Sequence, residues 1–140
     1  MRFPTMPVAD GVHRPMIPLT LQSATGQRVV VDALIDTGAD VSLISETTAR
    51  ALGLVIDSLS YAQREIRSPL GSTARLRTCE LVLELRQRPT IHRWTTIVGV
   101  LPRHLDYAIL GTRGFFEFFN LNYSAPAALV DVNPDGVLPT

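Results

Sequence analysis

The order of apolar and polar residues divides the chain into short segments, and most of them alternate with the two-residue period of a β-strand. Residues 19–22 and 28–35 flank a turn at residues 25–27, so together they predict a β-hairpin. The second of these segments is almost continuously apolar, and we expect it to be buried on both faces.

Residues 45–52 are the first segment that predicts a helix. Ser45 is a favourable N-cap, Glu46 places a negative charge in the first turn, and Gly53 is a favourable residue just beyond the end. The aromatic segment at residues 114–119 follows a turn bounded by glycine and predicts a second short packed helix.

Strand-like alternation returns after residue 61. Residues 68–72 form a strong turn signal, so residues 61–85 predict a long hairpin whose tip lies near Gly71. The remaining predictions are a turn at residues 86–90, a strand at 91–98, and a closing hairpin of residues 120–124 and 127–132.

Many short strands with one or two small helices are typical of an all-β barrel or sandwich-like domain. Four prolines between residues 4 and 18 favour an extended start to the chain. We therefore expect a proline-rich extended N-terminal arm at residues 1–18 and a single domain at residues 19–140. The total of 140 residues is enough for one such domain.

Composition narrows the classes of function. Thirteen basic residues balance thirteen acidic ones, so we expect neither a nucleic acid nor a membrane as a partner. All the basic residues are arginines, which excludes lysine-based catalysis and a P-loop lysine. No apolar run approaches the roughly 18 residues of a membrane span, and the first residues lack the apolar part of a secretory signal, so the expected localisation is cytoplasmic.

Residues that bind metals are sparse. Cys79 is the single cysteine, which excludes an intramolecular disulfide and a cysteine-based metal site, and its apolar neighbours predict a buried thiol. His13, His92 and His104 lack the close spacing of metal ligands. We therefore expect no metal and no cofactor.

One acidic segment interrupts the apolar pattern. Residues Asp36-Thr37-Gly38-Ala39-Asp40 lie between two apolar runs, where a carboxylate is largely desolvated and therefore costly unless it is hydrogen-bonded or functional. A plain surface loop, in which Asp36 caps a turn and Gly38 has a positive φ, is the alternative. That alternative does not explain why the residues on both sides are apolar.

This segment resembles the motif of the retroviral-type (retropepsin-like) aspartic protease family. Residues 33–44 carry the apolar–Asp-Thr-Gly-Ala pattern, and residues 108–111 carry the family's second motif, two apolar residues followed by glycine. The 61–85 hairpin lies between them, where such proteases have a flap. The resemblance covers residues 19 to about 119. It implies a small closed barrel-like all-β domain that hydrolyses peptide bonds in extended polypeptides.

The resemblance also implies roles for individual residues. Asp36 is the catalytic carboxylate, Thr37 braces it, and Gly38 allows close backbone approach. The substrate-binding positions are Ala39, Asp40, Leu70 and Gly71, and the supporting positions are Ile109, Leu110, Gly111 and Arg113. In this chain Thr112 follows the motif glycine directly, where retroviral members often have arginine.

Two carboxylates about 3 Å apart can share one proton, so that one activates water while the other protonates the substrate carbonyl. The chain has only one Asp-Thr-Gly. The protease interpretation therefore predicts a homodimer in which each copy contributes its Asp36. The alternative is a catalytically silent dimeric module that binds peptides or assembles a larger complex.

Two further sets of residues have a structural and a functional interpretation. Arginines on the 61–85 hairpin either protect a strand edge by charge or favour acidic residues in the substrate; they are Arg64, Arg67, Arg75 and Arg77. The phenylalanines after residue 114 predict packing beneath the barrel more strongly than a binding surface; they are Phe115, Phe116, Phe118 and Phe119.

Overall fold

A computed structural model describes residues 1–67 and 71–140. It contains thirteen strands and one α-helix, α1 (Glu46–Ala51), with 3-10 turns at Ala9–Gly11 and Ile56–Ser58. The strands are β1 (Arg2–Pro4), β2 (Met6–Pro7), β3 (His13–Arg14), β4 (Met16–Gln22), β5 (Arg28–Ile35), β6 (Leu43–Ser45), β7 (Ile66–Arg67), β8 (Thr73–Ala74), β9 (Arg77–Gln87), β10 (Thr90–Leu101), β11 (Tyr107–Leu110), β12 (Phe119–Ser124) and β13 (Leu129–Pro134).

Six strands form a closed barrel in the order β10-β6-β11-β5-β4-β9. The pairs β5–β11 and β6–β10 are parallel, and the other neighbours are antiparallel. The predicted hairpin of β4 and β5 is confirmed, with Leu19 opposite Val31. The expectation of a small all-β barrel with a short helix is also confirmed.

The helix α1 begins and ends where the sequence indicates. The Ser45 side chain accepts a hydrogen bond from Thr48 N at 3.1 Å, which caps the first turn. Gly53 follows the helix with a φ of +74°, a left-handed conformation that glycine adopts without strain.

The barrel core contains the chain's single tryptophan. Trp94 on β10 is fully buried, and its indole N–H donates to Gly114 O at 2.8 Å. Its ring contacts Phe119 edge-on, with centroids 4.7 Å apart, and Phe115 stacks on Phe119 at 5.0 Å. Cys79 is buried as expected, and burial raises the pKa of its thiol to about 11.

The first residues belong to a second, smaller sheet. β1 pairs with β13, and β13 pairs with β12, in the order β1-β13-β12. Phe3 is buried beneath this sheet. The predicted boundary after residue 18 falls inside β4, whose Met16 and Ile17 are buried in the barrel. The division into an arm and a domain stays a prediction.

Two local expectations are wrong. β5 is not buried on both faces, because one face of a barrel strand points to solvent, and Val30 is 70% exposed. Residues 114–118 form consecutive turns rather than a helix, and Phe119 begins β12. Gly114 has a φ of +92°, which is not a helical conformation, and its carbonyl accepts from the Trp94 indole N–H on β10 instead of from a residue one turn further along the chain.

Candidate active site

The acidic motif forms the loop that connects β5 to β6. Asp36 Oδ1 accepts a hydrogen bond from Gly38 N at 2.9 Å, and Asp36 O accepts from Ala39 N at 3.2 Å. Asp36 is half-buried, while Thr37 and Gly38 are exposed. Gly38 is not among the residues with a positive φ, so the motif does not need glycine for that reason. The loop presents a carboxylate at the surface in a fixed conformation.

The second predicted motif lies against this loop. Asp36 N donates to Leu110 O at 3.0 Å, Thr112 N donates to Ala39 O at 2.9 Å, and Arg113 N donates to Asp40 O at 3.0 Å. These bonds join the end of β11 to the residues after the carboxylate.

Ile109 and Leu110 support the loop from β11. Ile109 is opposite Leu34 on the parallel strand β5 and opposite Leu43 on the antiparallel strand β6. Leu110 is buried. Arg113 is exposed, and among the ion pairs of the described residues none joins its side chain to Asp40.

Ser42 is a site residue that the motif comparison missed. Its side chain is buried, donates to Arg113 O at 2.9 Å and accepts from Gly111 N at 3.1 Å. The sequence contains one signal for this role: Ser42 is a small polar residue between the apolar residues Val41 and Leu43. A buried serine hydroxyl needs hydrogen-bond partners. Ser42 therefore fixes the spacing of the two segments.

The predicted hairpin of residues 61–85 is shorter in the structure: its two arms lie within residues 61–67 and 71–77, whereas Arg77–Gln87 form β9, which pairs with β10. Tyr61 is opposite Arg77, and β7 pairs with β8 through Ile66 opposite Ala74. Gly71 is exposed with a φ of +84°, whereas Leu70 lies outside the described residues. Arg77 donates to Leu59 O at 2.8 Å, and its guanidinium lies 4.4 Å from the centre of the Tyr61 ring. These contacts fix the base of the hairpin.

A groove of about 960 Å³ runs beneath the hairpin. Its walls are residues 61–66 of the hairpin, residues 96–99 of β10, and Asp40 and Val41 of the loop. Asp36 and Gly71 do not line it. Its charged residues are of both signs, so the groove favours neither acidic nor basic ligands; they are Asp40, Arg64, Glu65, Arg113 and Glu117.

The described residues contain no group of three or more histidine, cysteine, aspartate or glutamate side chains placed to hold a metal ion. Among the helices in the described part of the chain, none has the length and apolar character needed to span a bilayer.

Comparison with known proteins identifies the family through a match to a family model. The family model described as aspartyl protease matches residues 18–112. A retropepsin-like aspartic protease from Rickettsia conorii has a similar structure, with a TM-score of 0.61 and 17% identity over 95% of this chain and 98% of that one. The EIAV protease, complexed with the inhibitor HBY-793, aligns with a TM-score of 0.43 and 18% identity over 74% and 86% of the two chains.

No curated protein matches the sequence. The match to the family model nevertheless covers more than half of the chain, from the barrel strand β4 to the residue after Gly111. The closed barrel and the crossing of the two motifs agree with that match. The chain belongs to the aspartyl protease family and has a retropepsin-like fold.

Proposed function

We propose that this protein is an aspartic endopeptidase that acts as a homodimer. The observation that carries the proposal is the loop at Asp36, where a half-buried carboxylate is presented at the surface and fixed by backbone bonds to a second segment. One chain supplies one such carboxylate. A two-fold arrangement supplies the second, and we propose that Thr37, which is exposed, contacts the partner.

In the proposed reaction the two Asp36 carboxyl groups share one proton. The ionised carboxylate takes a proton from water, which attacks the peptide carbonyl, while the protonated group donates its proton to the carbonyl oxygen. Breakdown of the tetrahedral intermediate then transfers a proton to the leaving nitrogen. Contact between two copies excludes solvent from the pair and strengthens the hydrogen bonds around it.

The groove beneath the 61–77 hairpin is the proposed substrate site. It is bounded on one side by residues 96–99 of the strand β10, and an extended peptide can form main-chain hydrogen bonds with a strand. Asp40 lines the groove and is the proposed contact for substrate backbone. Because the charged lining is of mixed sign, we expect apolar side chains such as Ile66 and Ile97 to contribute more to substrate selection than charge.

The test is cleavage of a peptide library by the wild type and by Asp36→Asn. The variant keeps the shape of the side chain but cannot share a proton, so we expect the rate to fall by at least about a thousandfold. Asp32→Asn is the matched control, because Asp32 is an exposed residue on β5, the strand that leads into the Asp36 loop, and it should cleave like the wild type.

Absence of Asp36-dependent cleavage at every pH from acidic to neutral would contradict the proposal. Peptides retained by both the wild type and Asp36→Asn without being cut would then identify a silent peptide-binding module.

A further inference from the structure

An arginine cluster of Arg28, Arg86 and Arg93 surrounds one carboxylate on the side of the barrel. The carboxylate belongs to Glu84 on β9, which is directly opposite Arg93 on β10, and it accepts hydrogen bonds from all three arginines. Among the ion pairs of the described residues, the three arginines pair only with Glu84. The arginine cluster therefore has a local excess of positive charge in a chain whose net charge is zero.

Glu84 holds the three guanidinium groups in position from below. It points to the outside of the barrel, since its neighbours Leu83 and Leu85 are buried in the core. Its side chain is 3% exposed, whereas those of the arginine cluster are 41–54% exposed. A guanidinium has five N–H donors, and the bonds to Glu84 use one or two from each arginine. The arginine cluster therefore keeps donors for a further anion.

Exposed apolar side chains lie on both sides of the arginine cluster. Ile91 is directly opposite Arg86 and is 50% exposed. Val30, which is 70% exposed, is opposite Thr20, and Thr20 is the β4 neighbour of Glu84. Arginine beside exposed apolar side chains is typical of a surface that contacts protein. A fitting ligand is a polypeptide that has carboxylates next to apolar residues.

One face of β10 connects the arginine cluster to the candidate substrate groove. Side chains on one face of a strand are two residues apart, so Arg93, Thr95 and Ile97 share the outer face of β10. Ile97 is 60% exposed and lines the groove. The distance from Arg93 to Ile97 along the strand is about 13 Å, which four residues of an extended peptide also span. A peptide that leaves the groove over Ile97 can therefore reach the arginine cluster.

We propose that the arginine cluster binds an acidic segment of the polypeptide substrate, outside the groove and about four residues from the part that the groove holds. The inference rests on the proposed function and adds a second contact to it. Glu80 is exposed and directly opposite Ile97, so an acidic residue at the rim of the groove meets a like charge. The position of the acidic segment therefore matters as well as its charge.

Binding of labelled peptides to the Asp36→Asn variant tests the second contact without cleavage. Each peptide comes from the library and is extended, at one end or the other, by a short serine spacer and then by a pair of glutamates or a pair of glutamines. At low salt we expect the glutamate extension at one of the two ends to bind at least about tenfold more tightly than its glutamine counterpart, as fluorescence anisotropy measures it. The preference should disappear in about 1 M salt, where charges are screened beyond about 3 Å.

Substitutions in and beneath the arginine cluster should change the glutamate preference in opposite directions. Arg28→Gln with Arg86→Gln removes the excess charge but leaves Arg93 paired with Glu84, so the preference should fall to about twofold or less. Glu84→Gln removes the negative charge and should raise the preference at least about threefold. A purely structural role would weaken binding in both variants.

Arg50→Gln with Arg103→Gln is the matched control, because it removes the same charge from two exposed arginines elsewhere on the surface. It should keep the preference of the parent. Equal binding of the glutamate and glutamine peptides at both ends, or a lower preference in Glu84→Gln, would overturn the second contact. An oligonucleotide of equal charge that binds as tightly would overturn the assignment to an acidic polypeptide.

Cleavage by the wild type separates this inference from the proposed function. We expect kcat/KM to be higher for the glutamate peptide than for its glutamine counterpart, through a lower KM. Equal kcat/KM with cleavage that depends on Asp36 would reject the second contact alone. Absence of cleavage of either peptide would instead contradict the proposed function.

Discussion

Gly111 lies where the two segments of the candidate site approach most closely. A Cβ atom on this residue would lie 2.5 Å from Val41 O and 2.7 Å from Ala39 O. Both are backbone atoms that cannot rotate away. The residue is therefore glycine because of packing against a distant part of the chain.

Gly111→Ala is expected to destabilise the protein by about 3 kcal/mol and to reduce Asp36-dependent cleavage more than stability alone explains. The added methyl group must push the Asp36 loop away from the end of β11. Gly136→Ala, at a position with open space and a φ of +94°, should cost only about 1 kcal/mol and leave cleavage unchanged. Urea unfolding and peptide cleavage measure both effects, and equal losses in the two variants would contradict this explanation.

Ala39 follows the Asp-Thr-Gly motif and has no side-chain donor to offer the proposed carboxyl pair. A hydrogen bond to an ionised carboxylate makes it easier to ionise, so we expect the acidic limb of the rate profile of Ala39→Ser to move about one pH unit lower. The wild type should have its optimum well above about pH 3. Ala39→Gly, which adds no donor, should keep the wild-type profile, and coincident profiles for all three would disprove the idea.

At the scale of strands and helices, local sequence signals predict turns and helix caps better than they predict which faces of the strands are buried. Ser45 and Gly53 indicate the ends of α1, and the turn at residues 25–27 indicates the first hairpin, because these effects involve neighbouring residues. The exposure of Val30 depends on barrel closure, and the carbonyl of Gly114 in the turns at residues 114–118 bonds to Trp94, twenty residues away. Those contacts are not encoded in the local pattern.

Glu84 shows how one residue joins several strands. It lies on β9 with a nearly inaccessible side chain, and accepts hydrogen bonds from Arg28 on β5, Arg86 on β9 and Arg93 on β10. Burial alone would raise the pKa of Glu84, but the hydrogen bonds and charges of Arg93 and Arg86 outweigh it and lower the pKa below its usual value. The ionised form therefore stabilises the fold.

Glu84→Gln is expected to lower the free energy of unfolding at pH 7 by about 2–4 kcal/mol, because three arginines lose their countercharge. The stabilisation is present above the carboxyl group's unfolded pKa and is lost as the pH falls through its lower folded pKa. The difference from wild type should therefore shrink as the pH falls below the usual range of a glutamate pKa. Urea unfolding at several pH values tests this, with the exposed Glu80→Gln as control. A difference independent of pH would contradict the assignment.

At the scale of the whole molecule, the many short strands predict an all-β barrel or sandwich, and the family resemblance carried by the motifs at Asp36 and Gly111 implies the closed barrel. The barrel agrees with that prediction. The sequence does not reveal which sheet edges are free. Gln87 covers β1 through contacts between residues 85 positions apart, and such a contact leaves no periodic signal.

The position of Trp94 makes its intrinsic fluorescence sensitive to the structure around the candidate site. The chain has one tryptophan, and its indole bonds to the turns that follow the Arg113 segment while its ring contacts the first residue of β12. A movement of the Asp36 loop against the barrel changes the polarity around the Trp94 indole. A movement of β12 against its neighbours does the same. Intrinsic fluorescence can therefore follow events at both places without any attached dye.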